Sequence, residues 1–304
     1  TLEKVKSELV RSYASNGRYG AGVEIEELLK PRNRIEINIE VDEGDSAKIE
    51  KIIIIGNEIY SDEDLLDSFE LSEGSFFSFL SSNNQYSREK LIGDIETLES
   101  YYRDRGYLKF SIESSQISLS RDKESIFITY NVNEGDKYTI DDVNVIGEVP
   151  FEEEVYLDIV NNLKDQTYSQ AQITSIEEFF INVLGNRGYA FAEVSGDTEI
   201  IDDTNQVKLT FSVVPGNKTY TRKILFTGNN VTQDHVLRRE MRQFEGAWSS
   251  DNSIEAGKVR LERLGYFKEV NVETIPVVGT EDQIDIVYSV EAVSYTHLTL
   301  PTKA

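Results

Sequence analysis

Two glycine markers recur in one register along this chain, and this repetition limits the fold more than any other feature of the sequence. The first marker follows an alternating apolar run, at Gly44, Gly135 and Gly216. The second ends a short apolar segment, at Gly56, Gly147 and Gly228. In both sets the members are separated by 91 and then by 81 residues. Because independent markers share one spacing, the chain is predicted to consist of tandem structural repeats of about 80–90 residues.

Each repeat is predicted to be an α+β unit with the order β-α-α-β-β. Its closing strand alternates apolar and polar residues, as in 126–132 and 207–213, which is typical of a strand with one buried face. In the second repeat, Ser61 and Asp64 resemble a capping box, and a second helix is predicted from about Ser87 to Arg105. Two helices would cover one face of a three-stranded mixed sheet with strand order 1-3-2. That order leaves the middle strand of the sequence at an exposed edge.

A glycine is predicted to end the second helix of every repeat. In YYRDRGYLKF, residues 101–110, Gly-Tyr separates a helical pattern from an alternating one. Glycine adopts the left-handed conformation that ends a helix without a Cβ clash. The structural turns predicted in this way are Gly17, Gly106, Gly188 and Gly265. A phosphate-binding role is not favoured, because each glycine follows a helix instead of preceding one.

Composition excludes several classes of function. The formal net charge is −24, which repels nucleic acid and anionic lipid. The chain has no cysteine, so disulfides, thiol catalysis and cysteine metal sites are excluded, while the redox compartment stays open. No apolar run approaches the ~20 residues of a membrane helix. The first residue is Thr1, which favours a fragment of a longer protein.

No catalytic, cofactor-binding or metal-ligating residue is predicted. His235, in VTQDHVLRRE, is interpreted as an exposed first-turn residue after Thr232 as N-cap. A hydrolase with a carboxylate pair is kept as the alternative from another class, since the chain has 55 acidic residues. Acidic turns such as residues 42–45 are interpreted as strand connections, with weak calcium binding as the alternative.

Three segments carry a resemblance to a known family: DIETLESYYRDRGYLKF, VLRREMRQFEGAW and RLERLGYFKEVNVET. They resemble the POTRA domains of outer-membrane protein assembly factors. The resemblance assigns residues 1–47 to the C-terminal part of a second POTRA domain. It assigns 48–138, 139–219 and 220–292 to the third, fourth and fifth.

The resemblance implies a periplasmic scaffold of the β-barrel assembly machinery, anchored in the outer membrane by a C-terminal barrel that this sequence lacks. Its implied partners are accessory lipoproteins (BamD-like and BamB-like) and unfolded outer-membrane proteins, with no nucleic acid and no cofactor. The alternative within the same class is the POTRA region of another transporter, TamA-like or a two-partner secretion pore.

A lipoprotein-docking face is predicted in the fifth POTRA domain, on a helix over residues 233–244. Leu237, Met241 and Phe244 would form its core stripe. The docking residues are predicted to be Arg238, Arg239, Glu240 and Arg242. The alternative is a solvated helix with local ion pairs, which stabilise little.

Client-receiving edges are predicted at residues 108–118, 190–200 and 267–275, where an extended client strand could pair with the backbone. The side chains assigned to these edges are Phe110, Ile112, Phe191, Val194, Val270 and Val272. Acidic residues on the same strands would keep the edges from pairing with each other, at Glu113, Glu193 and Glu269. The alternative is that these charges only protect idle edges.

The last residues, 293–304, do not continue the pattern. VSYTHLTLPTK resembles the translation of a sequencing-library adapter, so we interpret this stretch as an assembly artefact. His297 therefore carries no functional weight.

Overall fold

A computed structural model describes residues 2–32, 34–73 and 85–293. The described chain forms two compact units. The first contains the residues up to Thr139 together with 167–171 and 202–206, and the second contains the others. The adapter-like tail beyond residue 293, with His297, lies outside the described residues.

The first repeat is partial and belongs to the first unit. It comprises α1 (Leu2–Ser15), β1 (Gly22–Lys30) and β2 (Arg34–Asp42). The two strands form an antiparallel hairpin in which Val23 lies opposite Val41.

The second repeat has the predicted topology. It comprises β3 (Lys48–Ile55), α2 (Asp62–Leu66), α3 (Arg88–Arg103), β4 (Ser111–Leu119) and β5 (Ser125–Asn133). Its sheet has the order β3-β5-β4, with β5 parallel to β3 and antiparallel to β4. The 1-3-2 order is therefore confirmed.

The third and fourth repeats have the same strand order. The third comprises β6 (Thr139–Gly147), α4 (Glu154–Leu163), α5 (Gln170–Gly185), β7 (Glu193–Ile201) and β8 (Gln206–Val214). The fourth comprises β9 (Tyr220–Thr227), α6 (Asp234–Arg238), α7 (Asp251–Arg263), β10 (Phe267–Pro276) and β11 (Gln283–Ala292). Their sheets have the orders β6-β8-β7 and β10-β11-β9.

Alternation on the central strand builds the core of the second repeat. Ile126, Ile128 and Tyr130 of β5 are buried, and they join Leu98 and Tyr102 of α3 in one apolar cluster. Burying such side chains contributes roughly 1.5–3 kcal/mol each, which holds the helix on the sheet.

The helix boundaries predicted from local sequence signals mostly agree with the structure. Ser61 Oγ accepts the Asp64 N–H at 3.2 Å, as the capping box predicts. Helix α3 ends at Arg103, two residues earlier than predicted. On its buried face, Asp94 accepts the backbone N–H groups of Glu70 (2.7 Å) and Leu71 (3.1 Å), which satisfies a buried carboxylate inside the core.

Candidate functional site: edge strands and a docking face

The Gly-Tyr turns end the second helices with a left-handed glycine. The φ angles of Gly17, Gly106, Gly188 and Gly265 are 78°, 100°, 101° and 68°. At α3, the Tyr107 N–H bonds the Tyr102 carbonyl at 3.0 Å and the Gly106 N–H bonds the Arg103 carbonyl at 3.4 Å, the bond pair of a Schellman motif. The Gly106 carbonyl also accepts the Tyr138 N–H at 2.9 Å. The turn thus fixes the chain just before the next repeat begins.

The strands predicted to receive clients lie at sheet edges. Among the described residues, the middle strand of each complete repeat (β4, β7 or β10) pairs on one side only within its sheet. Ile112, Val194 and Val272 are half-buried on these strands, and Val270 is buried. These four side chains therefore point toward or border the core, and what an incoming strand would meet is the free backbone edge.

Two residues assigned to the edges lie outside the strands. Phe110 precedes β4, is 3% exposed and stacks on Tyr102 with ring centroids 4.1 Å apart. Phe191 precedes β7 and is 45% exposed. Phe110 is therefore a core residue. Its N–H bonds the Tyr107 carbonyl at 3.1 Å, so the chain at Phe110 is still in the turn after α3 and has not entered the edge strand.

The predicted docking helix is much shorter than 233–244. Helix α6 ends at Arg238, and the chain continues in tight turns in which the Glu240 N–H bonds the Leu237 carbonyl and the Met241 N–H bonds the Arg238 carbonyl. Leu237 and Met241 are buried as expected, but Phe244 is 68% exposed. The assignment of Phe244 to the core was wrong, because α6 ends at Arg238 and helical spacing does not reach Phe244.

Glu240 is held by arginines of its own chain. Its Oε2 accepts Arg260 Nη2 (2.7 Å) and Nε (3.1 Å), and its Oε1 accepts Arg239 Nε (3.1 Å). These hydrogen bonds, chiefly that of Arg260, lower the pKa of Glu240. The Glu240 side chain is only 13% exposed, whereas that of Arg239 is 60% exposed. Glu240 therefore connects the turn after α6 to α7, while the Arg239 side chain stays exposed to solvent.

The other predicted docking arginines differ in their partners. Arg238 bonds Asp234 Oδ2 at 3.0 Å, Glu245 Oε1 at 3.1 Å and the Ile224 carbonyl at 3.0 Å. Arg242 is exposed, and no ion pair joins it to another described residue. The exposed cations of this face are therefore Arg239 and Arg242, with Arg238 partly engaged.

Glu245 was not predicted from the sequence, although the repeat contains a signal for it. Its Oε1 accepts the Ile224 N–H at 2.8 Å as well as Arg238, and its side chain is 46% exposed. In the second repeat, Glu73 Oε1 accepts the Ile52 N–H at 3.0 Å with the same separation of 21 residues. Both acids precede a glycine in the sequence, so aligning the repeats would have found the pair.

His235 lies exposed in the first turn of α6, whose N-cap is Gln233 and not Thr232. Within residues 2–32, 34–73 and 85–293, no group of three His, Asp or Glu side chains is placed to hold a metal ion. No described helix is long and apolar enough to cross a membrane.

The fold defines a class of protein: tandem repeats with two helices on a three-stranded mixed sheet. The family model POTRA, described as "Surface antigen variable number repeat", matches residues 47–135, 138–216 and 219–292. The chain belongs to the POTRA family. Membership in this family confirms the prediction that the chain is not an enzyme.

Within the family, the chain is similar to the outer membrane protein assembly factor BamA. It is 32% identical to BamA of Neisseria meningitidis over 94% of this chain and 36% of the relative. It is 30% identical to BamA of Buchnera aphidicola over 92% of this chain and 45% of the relative. It therefore spans less than half the length of these curated relatives.

A solved structure agrees with these matches. The crystal structure of Haemophilus influenzae BamA POTRA3-5 is matched with a TM-score of 0.71 and 30% identity. The match covers 81% of this chain and 96% of that one.

Proposed function

We propose that this chain is a periplasmic scaffold of outer-membrane protein assembly, which receives unfolded clients at its edge strands and binds accessory lipoproteins at the turn after α6. The observation that carries the proposal is the repeated edge. Three complete repeats each leave the middle strand of the sequence paired on one side.

Strand addition at these edges suits many clients. Backbone hydrogen bonds supply the affinity, so an incoming segment needs an extended conformation more than a particular sequence. The half-buried apolar side chains of β4 and β7 face inward, so they restrict the incoming side chains little. Glu113 lies at a register shift between Ile112 and Ser114 of β4, and such an irregularity restricts pairing to the regular part of the edge.

The proposal is tested with proline on the regular part of β4. Ser114 and Ser115 are consecutive and lie opposite Asn131 and Tyr130 of β5. Because successive N–H groups of a strand point to opposite sides, one of Ser114→Pro and Ser115→Pro removes an inward donor and the other an outward donor. The outward variant should keep its stability within about 1 kcal/mol and lose cross-linking to an unfolded barrel peptide.

Alanine at the same two positions is the matched control, since it keeps the N–H group. If the outward proline variant cross-links as the unchanged chain does, or if wild-type cross-links avoid β4, β7 and β10, strand addition is wrong for this chain. The repeats would then act only as a spacer and lipoprotein scaffold.

The lipoprotein contact is proposed to depend on Arg242 and on Arg239, which Glu240 orients. The Glu240 carboxylate already bonds Arg239 and Arg260, so Glu240→Lys replaces an attraction with repulsion and displaces Arg239. We expect this variant to weaken binding of a purified BamD-like lipoprotein about tenfold or more.

Arg242→Gln removes one exposed charge without breaking an ion pair and should weaken binding by a smaller factor. Calorimetric titration at two salt concentrations measures both effects. Unchanged affinity of the Glu240→Lys variant, with an unchanged melting temperature, would assign this face to local ion pairing only.

A further inference from the structure

A cavity of about 330 Å³ lies in the second unit, where the turn after α5 meets the start of the fourth repeat. It combines two cations, two aromatic rings and three neutral polar side chains. The main lining residues are Asn186, Arg187, Tyr189, Lys218, Trp248 and Ser250. Its volume is at the lower end of the range for ligand sites, so it suits a short segment rather than a large molecule.

Hydrogen bonds fix the walls of this cavity. Asn186 Oδ1 accepts the Asn252 N–H at 2.8 Å and Ser250 Oγ at 3.2 Å. Ser249 also lines the cavity, its hydroxyl lies 3.0 Å from that of Thr219, and both residues are buried. A site with such walls is formed before its ligand arrives, which lowers the entropy cost of binding.

The two cations have aromatic neighbours but no carboxylate. The Arg187 guanidinium lies 5.1 Å from the Phe151 ring centroid, and Lys218 Nζ lies 4.8 Å from that of Trp248. Among the described residues, neither forms an ion pair within 4.0 Å. Both are exposed, and so is 55% of Trp248.

The cavity is locally positive on an acidic chain. Among the residues that the structure describes, none that lines the cavity is acidic, although the formal net charge of the chain is −24. Asp251 is near in sequence, but its carboxylate packs against Gly185, where an added Cβ would overlap it. Charge complementarity therefore favours an anionic occupant.

Comparison with the preceding junction shows how this site differs from one that carries an acid. Asp104 stands two residues before Gly106, as Asn186 stands two before Gly188. Asp104 Oδ1 accepts the Ala171 N–H at 2.8 Å, the same kind of bond that Asn186 makes. The amide keeps this bond and removes the negative charge.

The aromatic wall is also specific to this junction. Isolated bridges pair Thr139 with Thr167 and Tyr220 with Trp248, so Thr167 and Trp248 occupy equivalent positions. Trp248 therefore gives this junction a half-exposed aromatic surface that the threonine of the preceding junction lacks.

We propose that this cavity binds an acidic segment of an extended polypeptide. Arg187 and Lys218 hold a side-chain carboxylate, and the apolar residue next to it lies on Trp248. A planar carboxylate suits the guanidinium fork of Arg187. The proposal is independent of strand addition and of the lipoprotein face, since none of its lining residues belongs to either.

Trp248 gives a direct assay, because it is the single tryptophan of the chain. The intact chain is titrated at low salt with the blocked peptide Gly-Leu-Asp-Gly, and Trp248 fluorescence is recorded. We expect a saturable change that the Gly-Leu-Asn-Gly peptide does not produce. Arg187→Gln and Lys218→Gln should each weaken binding by about 2- to 5-fold. Asn186→Asp, which restores the residue of the preceding junction, should weaken it further.

Thermal unfolding of each variant separates lost binding from lost structure, and calorimetric titration of Trp248→Thr tests the aromatic wall without the reporter. Equal responses to the Asp and Asn peptides would overturn the proposal. So would full binding by Asn186→Asp, or a stronger response to inorganic phosphate or to phosphatidylglycerol vesicles than to the acidic peptide.

Discussion

Glu134 holds three parts of the second repeat together, and removing it is the most informative test of the fold. Its carboxylate accepts the Glu58 N–H at 3.0 Å, the Ile59 N–H at 3.2 Å and the Tyr102 hydroxyl at 2.7 Å. The loop after β3, the end of α3 and the end of β5 therefore meet at one side chain that is 8% exposed.

The structure gives the expected magnitudes. In Glu134→Ala, the Tyr102 hydroxyl and two loop N–H groups lose their acceptor, and each unsatisfied buried group costs about 1–3 kcal/mol. Since the loop can partly reach water, we expect a loss of about 3–5 kcal/mol. Tyr102→Phe removes one donor and leaves Glu134 with two, so its cost should be about 1 kcal/mol. The double variant should lose less than the sum, because no tyrosine hydroxyl is then left unpaired.

Hydrogen exchange of the β3 amides, measured by mass spectrometry, reports this repeat locally. Exchange in residues 49–54 should be at least a hundredfold faster in Glu134→Ala, while the fluorescence of Trp248 in the second unit serves as the internal control. Equal protection in Glu134→Ala and Tyr102→Phe, or additive losses in the double variant, would refute the reasoning.

Two further predictions concern the turns and the pH dependence. Gly106→Ala should lower the free energy of unfolding by about 2–3 kcal/mol, because at φ +100° its Cβ would lie 2.8 Å from Thr167 Cγ2. Gly265→Ala should lower it by about 1 kcal/mol, because no described atom lies within 4 Å of the added Cβ. Thermal unfolding measures both losses. Burial raises the pKa of Asp251, so the folded second unit favours the protonated acid. The contribution of Asp251 to the stability of the second unit is greatest below about pH 4 and is lost as the pH rises through the pKa of Asp251 in the folded state. Urea midpoints from Trp248 fluorescence should fall with pH relative to Asp251→Asn, and parallel curves would contradict this.

The repeat and its topology could be read from the sequence because they rest on local signals. Strand alternation, the Ser61 capping signal and a glycine after the second helix of each repeat depend on a few neighbouring residues and on backbone sterics. The strand order followed from those elements, since two helices between the first and last strands return the chain for a parallel pairing.

What a side chain touches was decided only by the tertiary structure. The sequence showed Glu240 beside arginines, but its strongest partner, Arg260, is 20 residues away on another helix. Phe244 had the spacing of a core residue, yet the end of α6 at Arg238 placed it in solvent.

The cavity beside Trp248 has the same origin. Its residues are distributed over sequence positions 150–250 and meet only where the turn after α5 lies against the start of the next repeat. Periodicity and turn chemistry act over a few residues, so they determine the elements of this protein. Electrostatic pairing and cavity shape act through space, so only the packed chain determines its binding surfaces.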